Sequence, residues 1–278
     1  MVSHLFINVP PIVPSVGFSF ASPSFAAAMS RRYAAFRSPR GVPAFAIKTG
    51  GPARPPFSPV VLYGPPIRGG RGDFEFSFDA VSGSGRAVVS PRAQSFDSFL
   101  RTLCSALLNK GGGALLHACG LAVAGKAHVF IGRSGAGKST LARLAARSAR
   151  GTGSGQCRPV PAAAAGVEVI SDEIVPLRRE RGRFYVYGSP FWGEMRSAGR
   201  PLRLPLGGIY VLRKGRQNSL SPAPASGFIP LFLRCCLNFS KEPAAAAALL
   251  KTAGAAAGLY KGGFCFTKKD SSFLRLLK

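Results

Sequence analysis

Residues 128–145 read HVFIGRSGAGKSTLARLA, and this stretch decides the fold. A short apolar run ending at Ile131 leads straight into Gly132-Arg133-Ser134-Gly135-Ala136-Gly137-Lys138-Ser139, which satisfies G-x-x-x-x-G-K-[ST] in full. Residues of high helix propensity follow. Strand, glycine loop and helix in that order make a phosphate cradle. Glycines permit torsions that turn successive N–H groups toward an anion, and the helix beginning near Lys138 adds the positive end of its dipole. The spacing assigns Gly132, Arg133, Ser134, Gly135, Ala136, Gly137, Lys138, Ser139 and Thr140 to the phosphates of a nucleotide. Lys138 is the expected cation at the β- and γ-phosphates, and Ser139 the expected hydroxyl on magnesium.

A site of this kind needs a carboxylate on a neighbouring strand. VEVISDEIVPL, residues 167–177, supplies Asp172 and Glu173 at the end of an apolar strand. There they would face the crevice in which α/β sheets bind ligands. One would orient Mg²⁺ and the other take a proton from an attacking hydroxyl; their order along the strand does not decide which. Glu194, in YGSPFWGEMR (187–196), is a candidate second metal ligand against the plainer reading of a solvated loop acid. Arg196, Arg200 and Arg203 are candidate phosphate or acidic-substrate clamps, each also readable as surface. His117 lies in an apolar run and by itself reads as a core histidine.

Outward from the loop, periodicity sets the other elements. LLHACGLAV (115–123) and AHVFI (127–131) read as a buried hairpin turning at Ala124-Gly125-Lys126. SPSFAAAMSRRYAAF (22–36) reads as a helix capped by Ser22 or Ser24, with Phe25, Met29, Tyr33 and Phe36 on one face. FEFSFDA (74–80) alternates as a half-buried strand. SFDSFLRTLCSALLN (95–109) is an amphipathic helix with Phe96, Phe99, Leu100, Leu103, Ala106 and Leu107 inward. HLFINV, PVVLYG, RFYVYG, GIYVLRKG and YKGGFCF read as strands, and KEPAAAAALLKTAGAAAG as a helix. DSSFLRLL reads as a short terminal helix capped by Asp270. Residues 151–166 read as a low-complexity surface insertion. The order of elements is that of an α/β core. It is expected as two parts: a Pro- and Gly-rich N-terminal segment with short strands, 1–94, and a nucleotide-loop domain, 95–278.

Composition narrows the partners. The 37 Lys and Arg against 11 Asp and Glu give a formal charge of +26; spread along the chain, it reads first as compositional background and second as attraction to an acidic partner. No block of like charge and no aromatic–basic signature points to nucleic acid, so a nucleotide-regulated nucleic-acid binder stands behind other readings. Cys104, Cys119, Cys157, Cys235, Cys236 and Cys265 form no C-x-x-C pair and read as buried thiols of a reducing, cytoplasmic compartment. No apolar run reaches the ~18 residues of a membrane span, so no membrane partner is expected. The acid-free stretch before Asp73 has transit-peptide composition but lacks an amphipathic Arg-rich start.

At LLHACGLAVAGKAHVFIGRSGAGKSTLARL followed by VISDEIV, the sequence resembles the HPr kinase/phosphorylase superfamily, and most of all its smaller HPr-kinase-like relatives among peptide-modification genes. The resemblance is most specific from Leu115 to Val175. It implies a mixed sheet with flanking helices, of a type shared in part with phosphoenolpyruvate carboxykinase. It also implies an ATP- and Mg-dependent kinase acting on a Ser or Thr hydroxyl of a protein or peptide. His117 matches the family's histidine near the γ-phosphate, and Asp172 and Glu173 its paired acids, of which the second accepts the proton. The second acid here is Glu where the family has Asp, and the E-[IL]-R-G-L-G signature is absent, so HPr itself is not carried over as acceptor. Other readings are a P-loop ATPase or switch without an acceptor, and an inactive scaffold. Whether the chain forms a homo-oligomer is left open.

Overall fold

The computed structural model describes residues 3–8, 16–39, 43–51, 54–149, 166–196 and 199–277. Residues 151–165 of the expected insertion, with Cys157, lie outside the described residues. The chain is mixed α/β, with mixed sheets and flanking helices. It divides into two compact units, Met1–Gly111 with Asn238–Ala248, and Gly112–Leu237 with Leu249–Lys278. The division therefore follows the helix that the sequence reading had placed beyond its 94/95 boundary.

The first unit is a seven-stranded sheet in the order β1-β2-β3-β7-β6-β5-β4. Its strands are β1 (Ser3–Ile7), β2 (Val16–Phe20), β3 (Pro43–Thr49), β4 (Val60–Leu62), β5 (Ile67–Arg71), β6 (Phe74–Asp79) and β7 (Ser84–Val89). β2, β3 and β7 pair in parallel, while the strands at both ends pair antiparallel. The expected short strands are thus part of a complete sheet. Helix α1 (Pro23–Arg32) starts at Ser22, whose hydroxyl accepts the Phe25 N–H. Helix α2 (Ala93–Lys110) brings Phe96 and Phe99 against Phe18, Phe45 and Phe76, with ring centroids 5.3–6.3 Å apart. Tyr33, fully buried, donates to Asp97, which also pairs with Arg32. The helical face extends one position beyond the expected set: Leu108 is buried while Leu107 is half-buried.

The second unit holds the glycine loop. Its strands are β8 (Gly113–His117), β9 (Cys119–Val123), β10 (Lys126–Ile131), β11 (Glu168–Ser171), β12 (Ile174–Glu180), β13 (Arg183–Tyr187), β14 (Arg203–Lys214), β15 (Ser219–Ser221) and β16 (Tyr260–Phe266). β14 is long enough to serve two neighbourhoods. Its first residues pair antiparallel with β13, and its later ones lie parallel to both β10 and β16. Helices α4 (Phe228–Cys235) and α5 (Pro243–Ala257) occur between β14 and β16, and α3 (Lys138–Ala149) follows β10. The three parallel strands therefore end on one side, where α/β sheets carry their sites.

The expected hairpin is corrected in one respect. β9 and β10 form it, through the two-residue turn Ala124-Gly125 with φ of 49° and 75°. The segment before it breaks at Ala118, and β8 pairs instead with β12. The terminal DSSFLRLL forms a 3-10 turn, Ser272–Leu276, with the Asp270 carboxylate accepting the Ser272 N–H at 2.9 Å.

Candidate functional site

The loop leaves β10 at Gly132 and enters α3 at Lys138. Gly135 and Gly137 have φ of 75° and 103°, in the left-handed region where a side chain is strained. At Gly137 there is a second constraint, because a Cβ would stand 2.9 Å from the Phe266 ring. The helix is anchored by Leu141, Ala142 and Ala145, all fully buried, and its main contacts are with β9 and β11. Lys138 folds back over the loop. Its Nζ donates to the Gly132 carbonyl at 3.2 Å, and the residue is 7% exposed. Among the described residues no carboxylate stands within ion-pair distance of it.

The acids are positioned by a local turn. Between β11 and β12, the Ser171 hydroxyl accepts the N–H of Glu173 at 3.1 Å and of Ile174 at 3.0 Å. Asp172 is 4% exposed, and its Oδ2 accepts the Met195 N–H at 3.0 Å. Gly193 lies against the same carboxylate so closely that a Cβ there would collide with both oxygens. The Glu173 carbonyl accepts the Ala118 N–H at 2.9 Å, and His117 stands opposite Ile174 in the β8–β12 register. The break at Ala118 thus ties the histidine to the acids.

A cavity of about 390 Å³ brings these groups together. His117, Ser134, Gly135, Gly137, Lys138, Ser139, Thr140, Asp172, Glu173 and Glu194 line it, with Lys214 and Lys268. His117 is exposed to it rather than held in the core. Gly132, Arg133 and Ala136 border a different cavity, with Arg213 and Arg234. Glu194 is 68% exposed and pairs with Arg143 at 2.7 Å. Arg200 pairs with Glu168, and Arg203 with Glu180 while covering the Tyr185 ring, and neither lines the cavity.

No family model matches the chain, and no curated protein matches it.

Lys214 and Lys268 were missed by the sequence reading. They sit just at or beyond the ends of β14 and β16, on the side where β10 delivers the loop. The signal was there in VLRKG and FTKKD, cations closing apolar strands, but it counts only once the strands are known to be parallel. Gly193 was missed as well, because its requirement arises from Asp172, far away in sequence.

The donor set fits a polyphosphate with a hard divalent cation. A glycine loop at a helix start and three lysines offer N–H and ammonium donors. The Ser139 hydroxyl and the buried Asp172 carboxylate are among the oxygen ligands on offer. Among the described residues no group of three or more His, Cys, Asp or Glu could hold a metal. Cys119, fully buried, has its thiol pushed well up, by burial first and then by the Asp172 charge, so it is not a nucleophile here.

Proposed function

We propose that the chain is an ATP- and Mg²⁺-dependent kinase of HPr-kinase-like type, transferring the γ-phosphoryl group to a Ser or Thr hydroxyl of a protein or peptide in the cytoplasm. The observation that carries this is the pairing, in one cavity, of a buried Lys138 lacking a carboxylate partner with a buried carboxylate, Asp172, beside a second acid, Glu173. Lys138 and Asp172 are buried in one cavity without an ion pair between them, and a phosphate chain over the loop with its cation would satisfy both charges. Two adjacent acids exceed what a binding-only loop needs, and a proton acceptor beside the loop supports transfer over sensing.

In this reading the backbone of residues 132–140 cradles the phosphates and Lys138 follows the charge that develops on the transferring group. Magnesium there would supply positive charge to offset that of the phosphates. Ser139 and Asp172 would hold it, with Asp172 fixed in place by Met195 and Gly193. Glu173 would accept the proton of the attacking hydroxyl, and His117 would stand near the γ-phosphate. Lys214 and Lys268 would add to the positive field at the mouth. A loose phosphoryl-transfer transition state makes positioning and charge the main sources of rate.

The test is purified protein with γ-labelled ATP, Mg²⁺ and a panel of Ser/Thr peptides and host lysate. Label should appear on a peptide or protein and be lost in Lys138→Ala. Asp172→Asn and Glu173→Gln should retain nucleotide binding and lose at least about 100-fold in turnover. Released phosphate without labelled acceptor would replace this reading with that of an ATPase.

A further inference from the structure

The first unit's sheet has a second face, opposite the phenylalanines. Its register aligns two ranks of side chains across five strands. One rank runs Ala46, Arg86, Ser77, Arg68, Leu62, and the other Lys48, Val88, Glu75, Gly70, Val60. The ranks lie two residues apart on every strand, so they share one side of the sheet. Small residues in mid-sheet, Ala46, Ser77 and Gly70, leave a trough of about 610 Å³. Lys48, Arg68 and Arg86 line it against a single acid, Glu75. All three cations are exposed, and none has a carboxylate within ion-pair distance among the described residues. At the β4 end, Val60 and Leu62 are 46% and 55% exposed.

We propose that this trough docks an extended acidic segment of a protein partner, its carboxylates over Lys48, Arg68 and Arg86 and an apolar side chain against Val60 and Leu62. The charge pattern selects an anionic chain. The want of a stacking surface selects peptide over nucleic acid. Phe74, Phe76 and Phe78 are all buried, and Phe76, the one ring bordering the trough, is 5% exposed, whereas single-stranded nucleic acid is held on exposed aromatic rings. The sheet edges do not invite strand addition. Val61 N–H on β4 is already bonded to the Phe239 carbonyl, and β1 is covered by bonds from Ser38 to Phe6. Under the phosphotransferase reading, on which this further step rests, the partner is the acceptor. Binding is measured without turnover, so the two readings fail separately.

The experiment uses the full chain without nucleotide and a fluorescein-labelled nonapeptide of Asp and Glu with one Leu. A Asn/Gln isostere and an oligouridine serve as comparison probes, all followed by polarisation at low and physiological salt. The acidic peptide should bind. The triple variant Lys48→Gln, Arg68→Gln, Arg86→Gln should lose about tenfold or more in affinity. A charge-matched triple variant at exposed positions elsewhere, Arg147→Gln, Lys251→Gln, Lys261→Gln, should lose little. Thermal melts would check that both triple variants fold. No peptide binding, equal losses in the two triple variants, or equal binding of the neutral isostere would each overturn the proposal. Tighter, trough-dependent binding of oligouridine would replace it with a nucleic-acid surface.

Discussion

Gly193 shows how one residue type can be dictated by a distant side chain. Its own position is an ordinary loop, yet any Cβ there would enter the Asp172 carboxylate. Gly193→Ala must therefore push the acid away or displace the loop that donates the Met195 N–H to it. Either way a buried carboxylate loses a hydrogen bond, a loss of about 1–3 kcal/mol. Under the proposed kinase reading, Gly193→Ala is expected to lower phosphoryl transfer at least about tenfold, and on any reading to reduce stability by roughly that amount. Turnover assays alongside urea unfolding would check both. Wild-type turnover in a variant of reduced stability would mean that the Asp172 position is structural and not part of the chemistry. At this scale the site was readable where chemistry follows local order, as in the loop, and unreadable where it follows contact, as at Gly193 and Ser171.

Among elements, the β9–β10 hairpin was legible because its strands are apolar and its turn is short, but the turn carries a strain the sequence conceals. Ala124 adopts φ 49° in a two-residue turn that wants positive φ at both positions. Asn tolerates that conformation better than Ala. Ala124→Asn is expected to raise stability by about 0.5–1 kcal/mol, read from the denaturation midpoint at unchanged slope. A midpoint at or below wild type would show that the turn is relieved in solution. The break between β8 and β9 was not legible, since a single histidine and a single glycine in LLHACGLAV make no turn signal. It exists because β8 pairs with β12 and β9 with β10 and β11, a choice made by partners. Gly120 permits it: a Cβ there would stand 3.2 Å from both Ile170 and Val175. The sheet of the first unit was underread for a similar reason. β5 is IRGGR, and its glycines suggest a turn until Phe76 is seen to lie where a Gly69 Cβ would be. Helix α2, by contrast, was plain from its aromatic spacing, whereas α1 ends at Arg32 and the expected Phe36 falls in a separate 3-10 turn, Ala34–Phe36.

For the whole molecule, the sequence conveyed an α/β chain of strong positive charge but not its partition. The boundary lies after α2 because that helix buries its aromatic face on the first sheet, a fact of packing. Among the described residues no helix is long and apolar enough to cross a membrane. The response of stability to pH is a property of the whole fold, to which one buried ring contributes in the mildly acidic range. His128 on β10 is fully buried, with Nδ1 3.1 Å from the Tyr210 hydroxyl and Nε2 without a partner among the described residues. Burial first, and the Lys126 charge second, lower its pKa from 6.5 to about 4. Between those values the unfolded chain binds a proton that the folded chain does not, so unfolding free energy rises with pH across the window. The contribution is fully present above pH 6.5 and is lost as pH falls toward 4, a change on the order of 3 kcal/mol. Asp73, Glu180 and Asp270, whose carboxyls are held low by arginine and hydroxyl partners, lose their contributions at still lower pH. They do so equally in wild type and in His128→Gln, so the difference between the two isolates the ring. Urea unfolding at pH 7 and pH 4.5 should show wild type losing more stability than His128→Gln over that interval. Equal losses would mean that the folded core accommodates the imidazolium, and that β10, which carries the glycine loop, is less tightly sealed against water than its burial shows.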